Sequence, residues 1–208
     1  MKLEMSTLKL VKTITIKTIK MKKILLITLL ILTALSCKAQ IIPIEEDINY
    51  RINEIEIPDG AYIKDVNHLL DKFVGTWIGT FDNKSYEFGI TKLTESFLGI
   101  SKDRLIIKYV ITDNITNQVI ADTTTLPNDN SLIITGDYLA ANGEVYHSDY
   151  RGFESKCGQN GYITMAVINN GSQMNFGLSV KGEIFDMNNC PNGPAAQVIP
   201  ETIILTKQ

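Results

Sequence analysis

The hydrophobic pattern divides the chain into three stretches. Residues 24–35 form an apolar run, interrupted by Thr28 and Thr33, behind Lys22 and Lys23. Residues 38–60, KAQIIPIEEDINYRINEIEIPDG, mix acidic and apolar positions with neither helical spacing nor strict alternation. From there to the end, short segments of period two are separated by turn clusters. The first run holds twelve residues, whereas a helix needs about 20 to cross a hydrocarbon core. Its proportions are those of a signal peptide.

After the IPDG turn, KDVNHLLDKF places Val66, Leu69, Leu70 and Phe73 at helical spacing with Asp65 as N-cap, which predicts a short amphipathic helix. It runs into VGTWIGTF, whose alternation predicts the first strand. Further extended segments follow over 85–92, 103–112, 119–126, 131–139, 144–153, 162–169, 173–185 and 202–207, broken by DNK, DNITNQ, PNDN, AANG and NGS turns. Eight or nine strands so spaced predict a mainly β fold: a single antiparallel β-barrel whose last strand pairs with its first, preceded by the short N-terminal helix.

Cys37 stands where the apolar run stops, behind Ala34, Leu35 and Ser36. That order resembles the bacterial lipobox, in which the signal peptidase cuts before a cysteine that already carries a diacylglyceryl thioether. The alternative is an ordinary secretory cut after Lys38, Ala39 and Gln40, which would discard Cys37. The reading taken is a signal peptide over 1–36, with Met21 as the favoured start and a long n-region as the alternative. A lipidated Cys37 and tether then span 37–60, and the β-barrel domain spans 61–208. Acyl chains contribute about 0.8 kcal/mol per buried methylene, so a triacylated cysteine holds a protein firmly on a membrane.

Removal of the signal changes the charge. Of 20 Lys and Arg and 23 Asp and Glu, seven lysines and one glutamate precede Cys37, leaving 13 against 22, a formal balance of −9. A surface of that sign repels phosphates, so nucleic acid is excluded as a partner. The two remaining cysteines, Cys157 and Cys190, lie among turn residues. In an oxidising compartment such a pair is expected to be a disulfide.

At Phe73-Val74-Gly75-Thr76-Trp77, a short helix followed by Gly-x-Trp resembles the opening of lipocalin and related calycin barrels. That resemblance implies a tight turn into the strand at Gly75 and a Trp77 that packs across the closed end. The segments LSCKAQ, IPDGAYIKDVNHLLDKFVGTW, CPNG and ETIILTKQ together resemble an uncharacterised lipoprotein family of Bacteroidota. This second resemblance implies location and architecture, and no chemistry.

Candidate chemistry is sparse. The chain has two histidines, His68 and His147. In EVYHSDYR, His147, Asp149 and Arg151 share one strand face, while Tyr146, Ser148 and Tyr150 share the other. Polar alternation on a solvated face accounts for the first set. No spacing of His, Cys and carboxylates matches a zinc or calcium site, and no phosphate loop, nucleophile elbow or dinucleotide fingerprint is present. The expectation is therefore no enzyme, no metal and no cofactor. Two functions stay open for a cell-envelope lipoprotein facing the periplasm or the cell surface. One is a barrel holding a small apolar ligand, with Tyr109, Tyr138 and Phe176 among its lining residues. The other is a structural or interaction lipoprotein, with a packed barrel that binds an envelope protein.

Overall fold

The computed structural model describes residues 40–182 and 188–208; the expected signal peptide and Cys37 lie outside them. Among the described residues eleven strands form one sheet. They are β1 (Ile41–Pro43), β2 (Tyr62–Lys64), β3 (Gly75–Phe81), β4 (Lys84–Phe97), β5 (Ile100–Asp113), β6 (Val119–Asp122), β7 (Ile134–Leu139), β8 (Val145–Arg151), β9 (Asn160–Ile168), β10 (Gln173–Val180) and β11 (Ile203–Lys207). Eight of them close an antiparallel barrel in the order β5-β4-β3-β11-β10-β9-β8-β7, with β7 returning to β5 through Ile106↔Thr135 and Ile107↔Ile134. The expected pairing of last strand with first is present as Thr206↔Ile78 and Lys207↔Trp77.

Alternation decides which side chains enter the barrel. Along β5, Leu105, Ile107, Tyr109 and Ile111 are buried, as are Tyr86, Phe88 and Ile90 on β4 and Met174, Phe176 and Leu178 on β10. Trp77 lies opposite Phe88, and Phe88 opposite Tyr109. The Phe88 and Phe176 rings meet across the interior at 4.3 Å.

The entrance to β3 is a tightly built joint. Gly75 has φ +134°, in the range where L side chains are strained, and a Cβ there would meet Lys207 Cε at 2.9 Å. That close approach lets the Lys207 ammonium sit 5.1 Å from the Trp77 ring centre. The indole Nε1–H donates to the Phe73 carbonyl at 2.7 Å. Phe73 in turn rests on Tyr146, ring to ring at 5.8 Å. First and last strands and the chain before them are thus fastened at one end of the barrel.

The stretch expected as a helix over 65–73 is not one. It is a series of turns ending in a single 3-10 turn, Asp71–Phe73. Asp65 does cap, accepting from the Leu69 and Leu70 N–H groups at 2.7 and 3.2 Å. It is also buried, and Lys92 donates to it at 3.0 Å. Its own N–H donates to Asp103 at 2.9 Å. His68 has φ +56°, which breaks any helix at that point. These fixed polar contacts outweigh the helical spacing; Leu70 and Phe73 are still buried, but Val66 is left exposed.

The short helix instead lies in the expected tether. Within 38–60, β1 pairs in parallel with β2, and helix α1 (Asp47–Ile52) follows. Ile42 and Ile44 are buried in the core cluster, so this stretch is part of the domain rather than a free linker. Their apolar side chains pack because β4 and β5 continue well beyond the barrel wall as a long hairpin, whose edge β2 covers in parallel through Tyr62↔Ser101 and Ile63↔Lys102. Asp47 in α1 receives Lys102 Nζ at 2.6 Å and Arg51 Nε at 3.3 Å, and Arg51 reaches Asp137 at 2.6 Å. Burial lowers the Lys102 ammonium below its ordinary range despite Asp47.

At the other end, the Cys157–Cys190 disulfide (Cα–Cα 5.6 Å) clasps the β10–β11 connection onto the β8–β9 connection. Gln159 Nε2 donates to the Ala196 carbonyl at 2.7 Å and the Ala195 N–H to the Cys157 carbonyl at 2.8 Å. Ile199 enters the core from this segment.

Two outcomes follow from this architecture. Trp77→Ala is expected to cost about 3–5 kcal/mol of unfolding free energy in urea titrations, and Gly75→Ala about 1–3 kcal/mol from its backbone conformation alone. A fully stable Trp77→Ala protein would remove the joint from the account. For Asp103, burial favours the neutral acid, but hydrogen bonds from the Thr94 hydroxyl, the Asp65 N–H and the Tyr62 hydroxyl outweigh it and hold the carboxyl below its usual value. A depressed folded pKa means that the unfolded chain binds more protons, so this contribution is full above the ordinary carboxylate range and is lost as pH falls through it. Asp103→Asn should flatten the acid limb of the stability–pH curve, and an unchanged limb would contradict this assignment.

Candidate functional site

Residues expected to line a ligand chamber separate into two groups. Tyr109 and Phe176 point inward and have 0 % exposure, as do Trp77, Phe88, Met165 and Met174 around them. Tyr138 is not among the lining residues. A register shift between Gly136 and Tyr138 turns it outward, opposite His147. There its ring stacks on the imidazole at 4.6 Å, with the Arg51 guanidinium carbon 5.3 Å from its centre. The shift is a β-bulge, which an alternating reading of the sequence has no means to place.

The interior holds three polar surprises. The hydroxyls of Tyr109, Tyr150 and Ser148 are buried and none reaches a partner in hydrogen-bond geometry, although those of Tyr109 and Tyr150 adjoin. Burial pushes the Tyr109 phenol up to about 12 and raises Tyr150 and Tyr146 as well. All three rings are therefore neutral at physiological pH and serve as packing with a dipole. Tyr146 fits beneath Gly136, where a Cβ would meet its hydroxyl oxygen at 2.3 Å, and accepts from the Leu105 N–H at 3.3 Å.

His147, Asp149 and Arg151 lie on the outer wall, as alternation requires. Burial against neighbouring strands lowers the His147 pKa, with Asp137 opposing, and raises that of Asp149 with Asp137 adding to the shift. Among the described residues no group of three or more His, Cys, Asp or Glu is arranged to hold a metal ion, and no helix is long and apolar enough to cross a membrane.

Among the grooves on the outside of the described residues are the following two. One of about 620 Å³ runs over β11, β3, β4 and β5 past Ile78, Thr80, Glu87, Val110 and Thr206. A larger one of about 1110 Å³ crosses β5, β7, β8 and β9 between Arg104, Asp149, Arg151, Lys156, Asn128 and Tyr162. Its walls carry both signs of charge, and Arg104 is engaged with Glu95 at 3.5 Å. Beyond the barrel wall, the β4–β5 hairpin ends in Phe97 and Leu98, the latter 81 % exposed. Reading by periodicity ends the flanking strands at 92 and 103 and so misses this tip, because Thr94, Glu95 and Ser96 on one side and Ser101 and Lys102 on the other interrupt the apolar alternation.

No curated protein matches the chain, and no solved structure does. A family model covers it from residue 21 to residue 208. The chain, a closed barrel with a packed interior and a disulfide-clasped end, belongs to the "Family of unknown function (DUF6705)".

Proposed function

We propose that this protein is an exported lipoprotein, anchored through Cys37, whose barrel is a packed scaffold with no enzymatic role that acts through its outer surface. The observation that carries this reading is the zero exposure of the side chains at the centre of the barrel, Trp77, Phe88, Tyr109, Met165, Met174 and Phe176. A chamber large enough for a ligand leaves accessible area on its lining, and eight strands enclose a space that side chains alone can fill. A small apolar molecule held inside, the other function open from the sequence, finds no such lining here.

Two further observations support the envelope setting. The disulfide between Cys157 and Cys190 suits an oxidising, extracytoplasmic compartment. The family match begins at Met21, which fits a signal peptide starting there.

Mass spectrometry of the membrane-extracted protein, expressed in a bacterium with the lipoprotein-processing pathway, should show a mature chain that begins at an acylated Cys37, and Cys37→Ser should abolish both the acyl mass and the cut before residue 37. A mature chain that begins elsewhere, or that carries no acyl group, would overturn the anchor. For the packed barrel, Phe176→Ala should cost about 3–5 kcal/mol in chemical denaturation. Tyr109→Phe should change stability by less than about 1 kcal/mol, because the hydroxyl it removes is buried without a properly aligned partner. A Phe176→Ala protein of unaltered stability would point to a site that was never tightly packed.

A further inference from the structure

The hairpin tip breaks a local rule. Leu98 and Gly99 form its two-residue turn with φ +49° and +82°, a geometry that favours Asn, Asp or Gly at both positions. The β3–β4 hairpin at the opposite end uses Asp82 and Asn83 for the same positive φ pair. A bulky leucine at φ +49° is strained, and here it gains no burial in exchange: Leu98 is 81 % and the preceding Phe97 73 % exposed. Two large apolar side chains, Leu98 at the turn and Phe97 on the flank of the larger groove, are thus left mostly exposed at the end of two 14-residue strands.

The place where the described chain begins explains what they meet. β1, β2 and β5 run in parallel with Ile41, Tyr62 and Ser101 abreast. The Tyr62 N–H donates to the Gln40 carbonyl at 2.8 Å, so Gln40 lies on the tip side of that row. Ser101 is three residues from Leu98, about 10 Å along a strand, and Ile41 stands two strand spacings away, again about 10 Å. Only Lys38 and Ala39 separate Cys37 from Gln40, a reach of at most about 11 Å. An acylated Cys37 therefore keeps the tip end of the domain at the lipid surface, and the incorporation of 41–52 into the fold removes the slack that a free tether would give.

We propose that Phe97 and Leu98 insert into the membrane interface as a second contact beside the acyl chains, standing the barrel with its hairpin tip towards the lipid and its disulfide-clasped end away. This rests on the reading of Cys37 as the anchor. Ile41, 54 % exposed on β1, extends the apolar edge. The turn before β2 carries Glu54, Glu56 and Asp59 rather than a basic cluster, so the contact is apolar and insensitive to salt.

The test uses the full lipoprotein, reconstituted in phosphatidylethanolamine–phosphatidylcholine vesicles with and without bromine on the acyl chains. Native Trp77 is fully buried and supplies a constant background. Phe97→Trp should lose its added emission in brominated vesicles at low and high salt alike. Ile115→Trp, 74 % exposed just past the far end of β5, should not. Mass spectrometry of the same sample reads acylation of Cys37. An acylated, vesicle-bound Phe97→Trp protein whose added emission is not quenched overturns the inserted tip and leaves the anchor standing. Quenching at both positions overturns the upright orientation. An unacylated protein that fails to float with vesicles overturns anchor and tip together.

Discussion

Closure of the sheet between β3 and β11 is the constraint on which the rest of the structure depends. The joint is short in register, Ile78 against Thr206 and Trp77 against Lys207. It is reinforced at one point by four residues with distinct tasks. Gly75 clears the space, Trp77 fills the barrel end and bonds back to the Phe73 carbonyl, Lys207 covers the indole, and Phe73 carries the contact on to Tyr146. Closure leaves no edge in the barrel proper and commits every inward side chain of eight strands to one interior. The aromatic interior is a consequence of that commitment, and the packed-scaffold proposal rests on it.

The long β4–β5 hairpin is the feature that departs from a plain barrel. Its extension beyond the wall offers an edge, which β2 and then β1 cover in parallel. Covering it draws the N-terminal stretch into the domain and brings Asp47 onto Lys102, a buried pair that requires its partner. The same extension carries Phe97 and Leu98 to the end where the described chain begins. Local packing and proposed orientation at the membrane thus have one origin, the length of two paired strands.

Much of this was legible in the sequence. Period-two alternation located the wall strands, turn residues located their ends, and the loop setting of Cys157 and Cys190 announced the disulfide. What failed did so where a polar contact or an irregularity overruled periodicity. The helix expected over 65–73 has the right apolar spacing, but Asp65 and His68 fix turns through contacts with Asp103, Lys92 and Asp71, the first two distant in sequence. The stretch over 41–52 lacks a clear period because its strand has three residues and its helix six, each too short to repeat. Tyr138 counts as a lining residue from the sequence as one of several aromatics in the strands, and the bulge between Gly136 and Tyr138 that turns it outward leaves no mark on the pattern. The hairpin tip was hidden by the polar residues leading to it, and only the turn geometry makes Leu98 conspicuous.

The central claim, that the barrel is filled by its own side chains, is tested most directly by mass. The protein, expressed from its full sequence with export to an oxidising compartment, purified in detergent and released into the gas phase under native conditions, should weigh the same as its denatured form once detergent is shed. A discrete additional mass, present in stoichiometric amount and lost on denaturation, would contradict the account and identify the barrel as a container.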